Sequence, residues 1–541
     1  MAAMRPAPGL ARRKTMKALP AISLLLLSMA VPARGASAAN AAAQAPHSTV
    51  NRAPAHAAVD PLAPVYIVTS RKTFDTVHAL VRDPASRRDS LGNELVVSET
   101  KAHMLDAVSG LIHQRELRCG GFFAFTSRAE ADRFIANDRS ALAARALTIS
   151  YTIDNAATVD PWLPQATESG IYDTINTLQG YKNRYYASSY GKSAAEWIKS
   201  RWESLAAGRG DVTTELFTGC TNCSTQPSVI LTIQGNELPN EVVVLGAHLD
   251  SINQSAGGNP EMVAPGADDD ASGIATLTEA LRIALASGWK PQRTVKFMAY
   301  AAEETGLRGS NAIAQQFKAN GINVVGALQL DMTEYQLGTP EDMQLVTDYS
   351  NASLKLFFNR LFDAYLAPMG LRRGTITCGY GCSDHASWTS AGYPAAMMFE
   401  AGDNSGANTP AFRGYNPNIH TTGDTLSFLG ESAEHSVKFA QFALAFIGEV
   451  GKTSAAGPTN APPVANFRSK VVRRIVAFTD RSSDSDGSIV SRSWNFGDGK
   501  SSTATSPTHV YSTVGTYNVT LTVTDDDGAT ASKTSPVTIV R

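Results

Sequence analysis

Charged residues at the ends of apolar, β-prone runs are the feature that most restricts how this 541-residue chain can fold. The run VVVLGAHLDS closes on His248 and Asp250, FMAYAAEETGLRGS carries Glu303 and Glu304, and ALQLDMTEY carries Asp331. Asp269 in APGADDDASG and His420 in NPNIHTTGDT complete a set of seven acidic and imidazole side chains. A buried strand has no reason of its own to finish in such groups, because desolvating them is costly unless a metal or an opposite charge compensates. Their repetition argues for a site.

In open α/β sheets, ligands bind at the carboxyl ends of strands. Strands are expected over Glu241–Ala247, Thr294–Ala301 and Val324–Leu330, with helical patterns over Ile274–Ala286 and Ser310–Ala319 between them. This alternation predicts an α/β fold with a mixed, largely parallel sheet flanked by helices.

The flanking segments give the site a setting. Residues 1–38 combine a basic stretch (Arg12, Arg13, Lys14, Lys17), an apolar run over Ala21–Val31 and the small-residue stretch Ala36-Ser37-Ala38, the layout of an export signal with its cleavage site. The run is too short for a membrane span, and no later segment approaches 18 uninterrupted apolar residues, so a secreted protein without a membrane span is expected. Residues 39–150 hold strand-like VYIVTS and GFFAFT and helix-like Ala102–Ile112 and Arg128–Ala136, a small α+β unit. It reads as a pro-region that assists folding or blocks the site and is expected to be removed near residue 150, with a permanent domain as the alternative reading. The catalytic unit then spans 151–452, a linker 453–463, and a β-sandwich of short alternating strands 464–541.

A net charge of -2 gives no electrostatic footprint for nucleic acid or an anionic membrane. Of the five cysteines, Cys119 lies in the segment expected to be removed, which leaves four that can pair. Cys220-Thr-Asn-Cys223 has a zinc-finger-like spacing, but Cys378 and Cys382 do not match it. Two local disulfides, Cys220–Cys223 and Cys378–Cys382, are therefore expected. The histidines between residues 150 and 453 are His248, His385, His420 and His435. Two metals need about one imidazole each plus a shared carboxylate, and His248, His420 and the carboxylates meet that requirement.

The stretches GAHLDS, APGADDDASG, AYAAEETGLRGS, LQLDM, TCGYGCSDHASW, GYPAAM and NPNIHTTGDT resemble, in order and spacing, the secreted bacterial leucyl aminopeptidases of the M28 metallopeptidase family. The resemblance implies two zinc ions per chain bridged by Asp269, one also held by His248 and Asp331, the other by Glu304 and His420. Glu303 is then the general base, and a hydroxide between the metals attacks the peptide carbonyl. Asp250 is expected to accept a hydrogen bond from the His248 imidazole. A cis peptide just after Asp269 also follows from the resemblance. The implied substrates are peptides and proteins, cleaved by a monomer at the N-terminal bond, with apolar N-terminal residues such as leucine preferred. Tyr380, in the Cys378–Cys382 loop, is placed to hydrogen-bond the oxyanion. Met332, Met397, Phe399, Tyr415 and Ile419 are candidates to line an apolar substrate pocket, with core packing the equal reading for Met397 and Phe399.

Two other classes share the resemblance: a single-zinc glutaminyl cyclase and a non-catalytic binding ectodomain. The intact Glu303-Glu304 pair argues against the second, and the matches in TCGYGCSDHASW and NPNIHTTGDT against the first. At the other end, WNFGDG, Pro507, Tyr511 and GTYNVTLTVT resemble the PKD family, an accessory domain of secreted hydrolases. Its acidic residues Asp484, Asp486, Asp498 and Asp525 to Asp527 read as solvated turn residues. Within the catalytic unit, Asp384-His385 reads as loop support or as a hydrogen-bond partner behind the ligands, His435 as surface and Glu334 as solvated. Asp268 and Asp270 read as braces of the turn before the helix at Ser272.

Overall fold

The computed structural model describes residues 60–88, 94–116, 121–144, 150–336, 340–377, 381–400, 416–454, 462–485, 487–526 and 528–541. The expected export signal, Cys119, Cys378, Tyr380, Tyr415, Asp486 and Asp527 lie outside these residues.

Continuous apolar runs form the middle of an eight-stranded sheet. Its order is Arg373–Ile376, Met343–Val346, Ala395–Phe399, Asn323–Leu330, Leu238–His248, Arg293–Tyr300, Ser228–Ile233 and Val212–Phe217. The four strands from Ala395–Phe399 to Arg293–Tyr300 run parallel to one another. Antiparallel pairings join them to the strands on either side. The pleat sends successive side chains to opposite faces. Val243, Leu245 and Ala247 accordingly pack on the helices Gly273–Ala286 and Glu434–Gly451, while Val242 and Val244 meet Ile313, Ala314 and Trp388 on the other side. Both faces are covered, as a mainly parallel sheet requires.

The outer strands Ser228–Ile233 and Val212–Phe217 are additions to the expected pattern. In Val212–Phe217, exposure alternates and no residue is fully buried, so the apolar signal that marks a central strand is weak there.

Ahead of this layer, an antiparallel sheet takes the order Arg82–Arg88, Glu94–Lys101, Pro64–Ser70 and Phe122–Phe125, with helices Leu105–Glu116 and Arg128–Ala144. The expected helix from Ala102 begins as a 3-10 turn, Ala102–Met104. Val68, Phe123 and Phe134 of this unit form a core that also takes in Leu307 and Ala386 of the following one.

Within residues 462–541, a three-stranded and a four-stranded antiparallel sheet enclose Phe467, Phe478, Trp494, Val519 and Leu521. The Tyr511 hydroxyl closes that core with a hydrogen bond to the Phe496 carbonyl at 2.9 Å. Among the described residues, no helix is long and apolar enough to cross a membrane.

Candidate metal centre

Three neighbouring parallel strands deliver the charged residues to one edge of the sheet. His248 is the last residue of its strand, Glu303 and Glu304 follow Arg293–Tyr300 by a short turn, and Asp331 directly follows Asn323–Leu330. The turn Ala267–Ser272 brings Asp269, and the loop ahead of helix Glu434–Gly451 brings His420. All six, with Asp250, are buried.

Asp269 stands between the two imidazoles. Its Oδ1 lies 2.9 Å from His248 Nε2 and its Oδ2 2.9 Å from His420 Nε2. His248 Nε2 is also 3.6 Å from Asp331 Oδ1, and His420 Nε2 is 2.8 Å from Glu304 Oε2. Glu303 Oε1 and Glu304 Oε1 are buried without a hydrogen-bond donor among the described residues. Buried carboxylates in that condition call for cations, and the mixed nitrogen and oxygen donors suit zinc.

The electrostatics agree. Burial pushes the Glu303 carboxyl well above its ordinary value, reinforced by the charges of Glu304, Asp384 and Asp331. Burial and Asp269 push Glu304 up to about 7. Burial alone would lower His420, yet Glu304 and Asp269 carry it to about 10. The pocket favours positive charge.

Backbone donors fix the acidic turn, and the peptide between Asp269 and Asp270 is cis. Asp270 accepts from the backbone of His248 at 2.9 Å, Gly273 at 2.9 Å and Met332 at 3.1 Å, which occupies both its oxygens. Asp268 accepts from the backbone of Glu334 and the side chain of Asn416. Both therefore brace the turn. Asp250 takes the backbone N–H of Glu303 at 2.9 Å and of Glu304 at 3.2 Å, so it holds the turn that presents them. Its contact with His248 Nδ1 is longer, at 3.4 Å.

Two residues that sequence reasoning missed complete the frame. The buried guanidinium of Arg184 donates to the carbonyls of Leu249 at 2.9 Å and Gly266 at 2.8 Å, tying the end of the His248 strand to the Asp269 turn. Asp424 accepts backbone N–H groups from the same turn. Neither carries a sequence signal, since the groups they hold in the Asp269 turn and at the end of the His248 strand are main-chain atoms.

Three expectations need correction: Asp525 of the C-terminal unit is not a solvated turn residue, since it is buried and accepts the backbone N–H of Ala529 at 2.7 Å. His435 is buried, not at the surface: its Nδ1 meets the Thr333 carbonyl at 3.0 Å, and burial with the nearby Lys438 charge pushes its imidazole down to about 4. Glu334 is not solvated, because it accepts the backbone N–H of Ser436 at 2.8 Å and of His435 at 3.4 Å in the first turn of helix Glu434–Gly451. Asp384 and His385 are buried behind the site, the carboxylate against Gln329 Nε2 at 3.3 Å and the imidazole Nε2 against the Asp348 carbonyl at 3.1 Å.

Met332, Met397, Phe399 and Ile419 come together in one buried cluster with Val346, Ile376 and Cys382. Cys220 and Cys223 form a disulfide, which removes them as zinc ligands. Cys382 is also disulfide-bonded, and its expected partner Cys378 lies outside the described residues.

The profile of peptidase family M28 matches residues 228–445. Leucine aminopeptidase 1 of Sclerotinia sclerotiorum is 35% identical over 301 residues, covering 54% of this chain and 73% of that protein. The chain belongs to peptidase family M28. Leucine aminopeptidase 1 of Metarhizium robertsii is 36% identical to this M28 chain over 286 residues, 51% of it and 68% of the relative. Among solved structures, LapB from Legionella pneumophila is similar with a TM-score of 0.58 and 29% identity, covering 72% of this M28 chain and 100% of LapB. This M28 peptidase is a metallo-aminopeptidase. The PKD profile matches residues 460–540, so its C-terminal β-sheets form a PKD domain.

Proposed function

We propose that this M28 enzyme is a secreted di-zinc aminopeptidase that removes apolar N-terminal residues such as leucine from peptides and proteins. The observation that carries the two-metal reading is the division of Asp269, one oxygen facing His248 and the other facing His420, each at 2.9 Å. His248, Asp269 and Asp331 would hold one ion, and Asp269, Glu304 and His420 the other. Zinc bound there supplies Lewis acidity toward a carbonyl oxygen and lowers the pKa of water to near 7.

The chain's own groups supply the rest. Glu303, kept off the metals, takes the proton of the attacking water and returns it to the leaving amine. Asp250 holds the Glu303-Glu304 turn by two backbone hydrogen bonds. Tyr380 donates to the developing oxyanion, and Met332, Met397, Phe399, Tyr415 and Ile419 form the pocket for the apolar side chain. The names of the relatives support leucine as a preferred residue. Residues 1–38 direct export, residues 39–150 act as a pro-region, residues 151–452 form the catalytic unit as a monomer, and the PKD domain follows the linker.

Zinc analysis of the purified chain, combined with a panel of aminoacyl anilides and N-blocked controls, tests this reading. Two zinc ions per chain and cleavage of unblocked leucyl substrates are expected. Hydrolysis of blocked peptides overturns the aminopeptidase assignment, and one zinc with cyclisation of N-terminal glutamine moves it to the cyclase class.

A further inference from the structure

His420 reaches the centre from a loop, and its backbone φ of 57° lies in the left-handed region that non-glycine residues rarely occupy. A ring delivered this way needs partners that fix it. Its Nε2 faces Asp269 and Glu304, while its Nδ1 lies 2.5 Å from Nε2 of the Gln254 side-chain amide. The backbone N–H of Gln254 donates to the His420 carbonyl at 3.1 Å. One residue thus grips both the main chain and the ring.

An imidazole that ligates through Nε2 carries its proton on Nδ1, and the partner of that N–H sets tautomer and ring plane. Gln254 lies with its Nε2 toward the ring; turning the amide over by 180° exchanges its nitrogen and oxygen in place, and the oxygen then accepts from the Nδ1–H of a ring that ligates through Nε2. The geometry points to Gln254 as the positioning residue of His420. The counterpart on the other imidazole is a carboxylate, Asp250, at 3.4 Å from His248 Nδ1. The two histidines are oriented by different chemistry, a neutral amide and a charged acid.

Gln254 is itself well placed. The preceding Asn253 accepts the backbone N–H of Ser255 at 3.1 Å and donates to the Val263 carbonyl at 3.0 Å, which fixes the turn Gln254–Ala256. Helix Leu105–Glu116 of the N-terminal unit covers the outer side: a Cβ on Gly110 would lie 3.9 Å from Gln254 Cβ, and Asp106 accepts the Tyr185 hydroxyl at 3.0 Å.

The metal part of the inference rests on the di-zinc reading, so the test has two readouts on the full chain. Zinc titration by calorimetry compares wild type with Gln254→Met, which keeps the length but removes the acceptor, and Gln254→Glu, which keeps an acceptor. In Gln254→Met, one of the two zinc equivalents should weaken by about 10- to 100-fold, the usual effect of removing the hydrogen-bond partner of a ligating histidine. The other equivalent should stay within about twofold, and Gln254→Glu should recover most of the loss. Nitrogen NMR of labelled histidine gives the second readout: the His420 ring should hold its proton on Nδ1 in wild type and Gln254→Glu, and lose that preference in Gln254→Met. An unchanged His420 tautomer in Gln254→Met overturns the inference whatever the metal count, as does equal weakening of both zinc equivalents. Fewer than two zinc ions in wild type, with the tautomer change intact, defeats the di-zinc reading alone.

Discussion

Asp424 accepts the backbone N–H of Asp269 at 3.1 Å with one carboxylate oxygen and that of Asp268 at 3.0 Å with the other. It stands four residues beyond His420, so the loop that presents one imidazole also grips the turn that presents the carboxylate facing it. Asn416 adds a third donor at 3.0 Å. Asp424→Ala leaves these buried donors unsatisfied and should lower unfolding stability by on the order of 3 kcal/mol. Urea denaturation checks this, and Asp424→Asn, which keeps one acceptor oxygen, should lose less. Wild-type stability and zinc content in Asp424→Ala would show that the turn holds its shape without the latch.

Glu303 has a buried, donor-free oxygen, while its backbone N–H is held by Asp250. Replacing it with Ala removes the proposed proton carrier without touching the five residues proposed to hold the metals. Turnover should fall by about 100-fold or more, with zinc content unchanged. Loss of zinc instead would place Glu303 among the ligands.

Much of this architecture was legible in the sequence, for physical reasons that also explain the gaps. The strands ending at His248, Tyr300 and Leu330 lie in the parallel middle of the sheet, where both faces are buried and an unbroken apolar run results. Arg82–Arg88 has no fully buried residue and only Pro84 and Ala85 among polar side chains, so an edge strand of that kind announces itself only through its partner, Glu94–Lys101. The seven charged residues were visible because they interrupt apolar runs, and the structure brings them together. Arg184, Gln254 and Asp424 were not, because each acts on main-chain groups or on a ring far away in sequence. His435 misled for the opposite reason: a polar residue in a helical pattern gives no sign that Glu334 and Thr333 will be packed over it.

Two buried histidines make stability sensitive to acid. Burial pushes His385 down to about 4, and burial with Lys438 does the same for His435, against an ordinary value of 6.5. Between these values the unfolded chain binds more protons than the folded one, so stability present above pH 6.5 is lost as pH falls toward 4. Each histidine contributes about 1.4 kcal/mol per pH unit over that window. Denaturation at pH 5 and pH 7 measures the slope, and His435→Gln should flatten it. A slope identical to wild type would mean that His435 is protonated in the folded chain.

The PKD domain has its own aromatic core around Phe467, Phe478 and Trp494. Deleting residues 464–541 should therefore leave hydrolysis of a small leucyl anilide within about twofold, since the deleted residues bury their own apolar surface. Loss of that activity would mean that the C-terminal sheets help to build the site.

The N-terminal unit bears directly on the turn that carries Glu303. The backbone N–H of Ala124 donates to the Gly306 carbonyl at 3.3 Å, and the N–H of Gly306 returns to the Glu303 carbonyl at 2.8 Å. Gly306 has φ 114°, and a Cβ there would come within 2.8 Å of Ala124 Cβ, so a side chain is disfavoured both by backbone conformation and by the neighbouring unit. If residues 39–150 are a pro-region, proteolysis near residue 150 should raise kcat/KM while lowering Tm, because Leu307 and Ala386 lose the core they now share with Phe123 and Phe134. Gly306→Ala separates the two causes of that glycine: it should lower Tm more in the uncleaved chain, where Ala124 is present, than in the processed one. An active secreted enzyme that still carries residues 60–140, with no gain on cleavage, would make the unit a permanent part of the fold whose role is to hold the Glu303 turn in place.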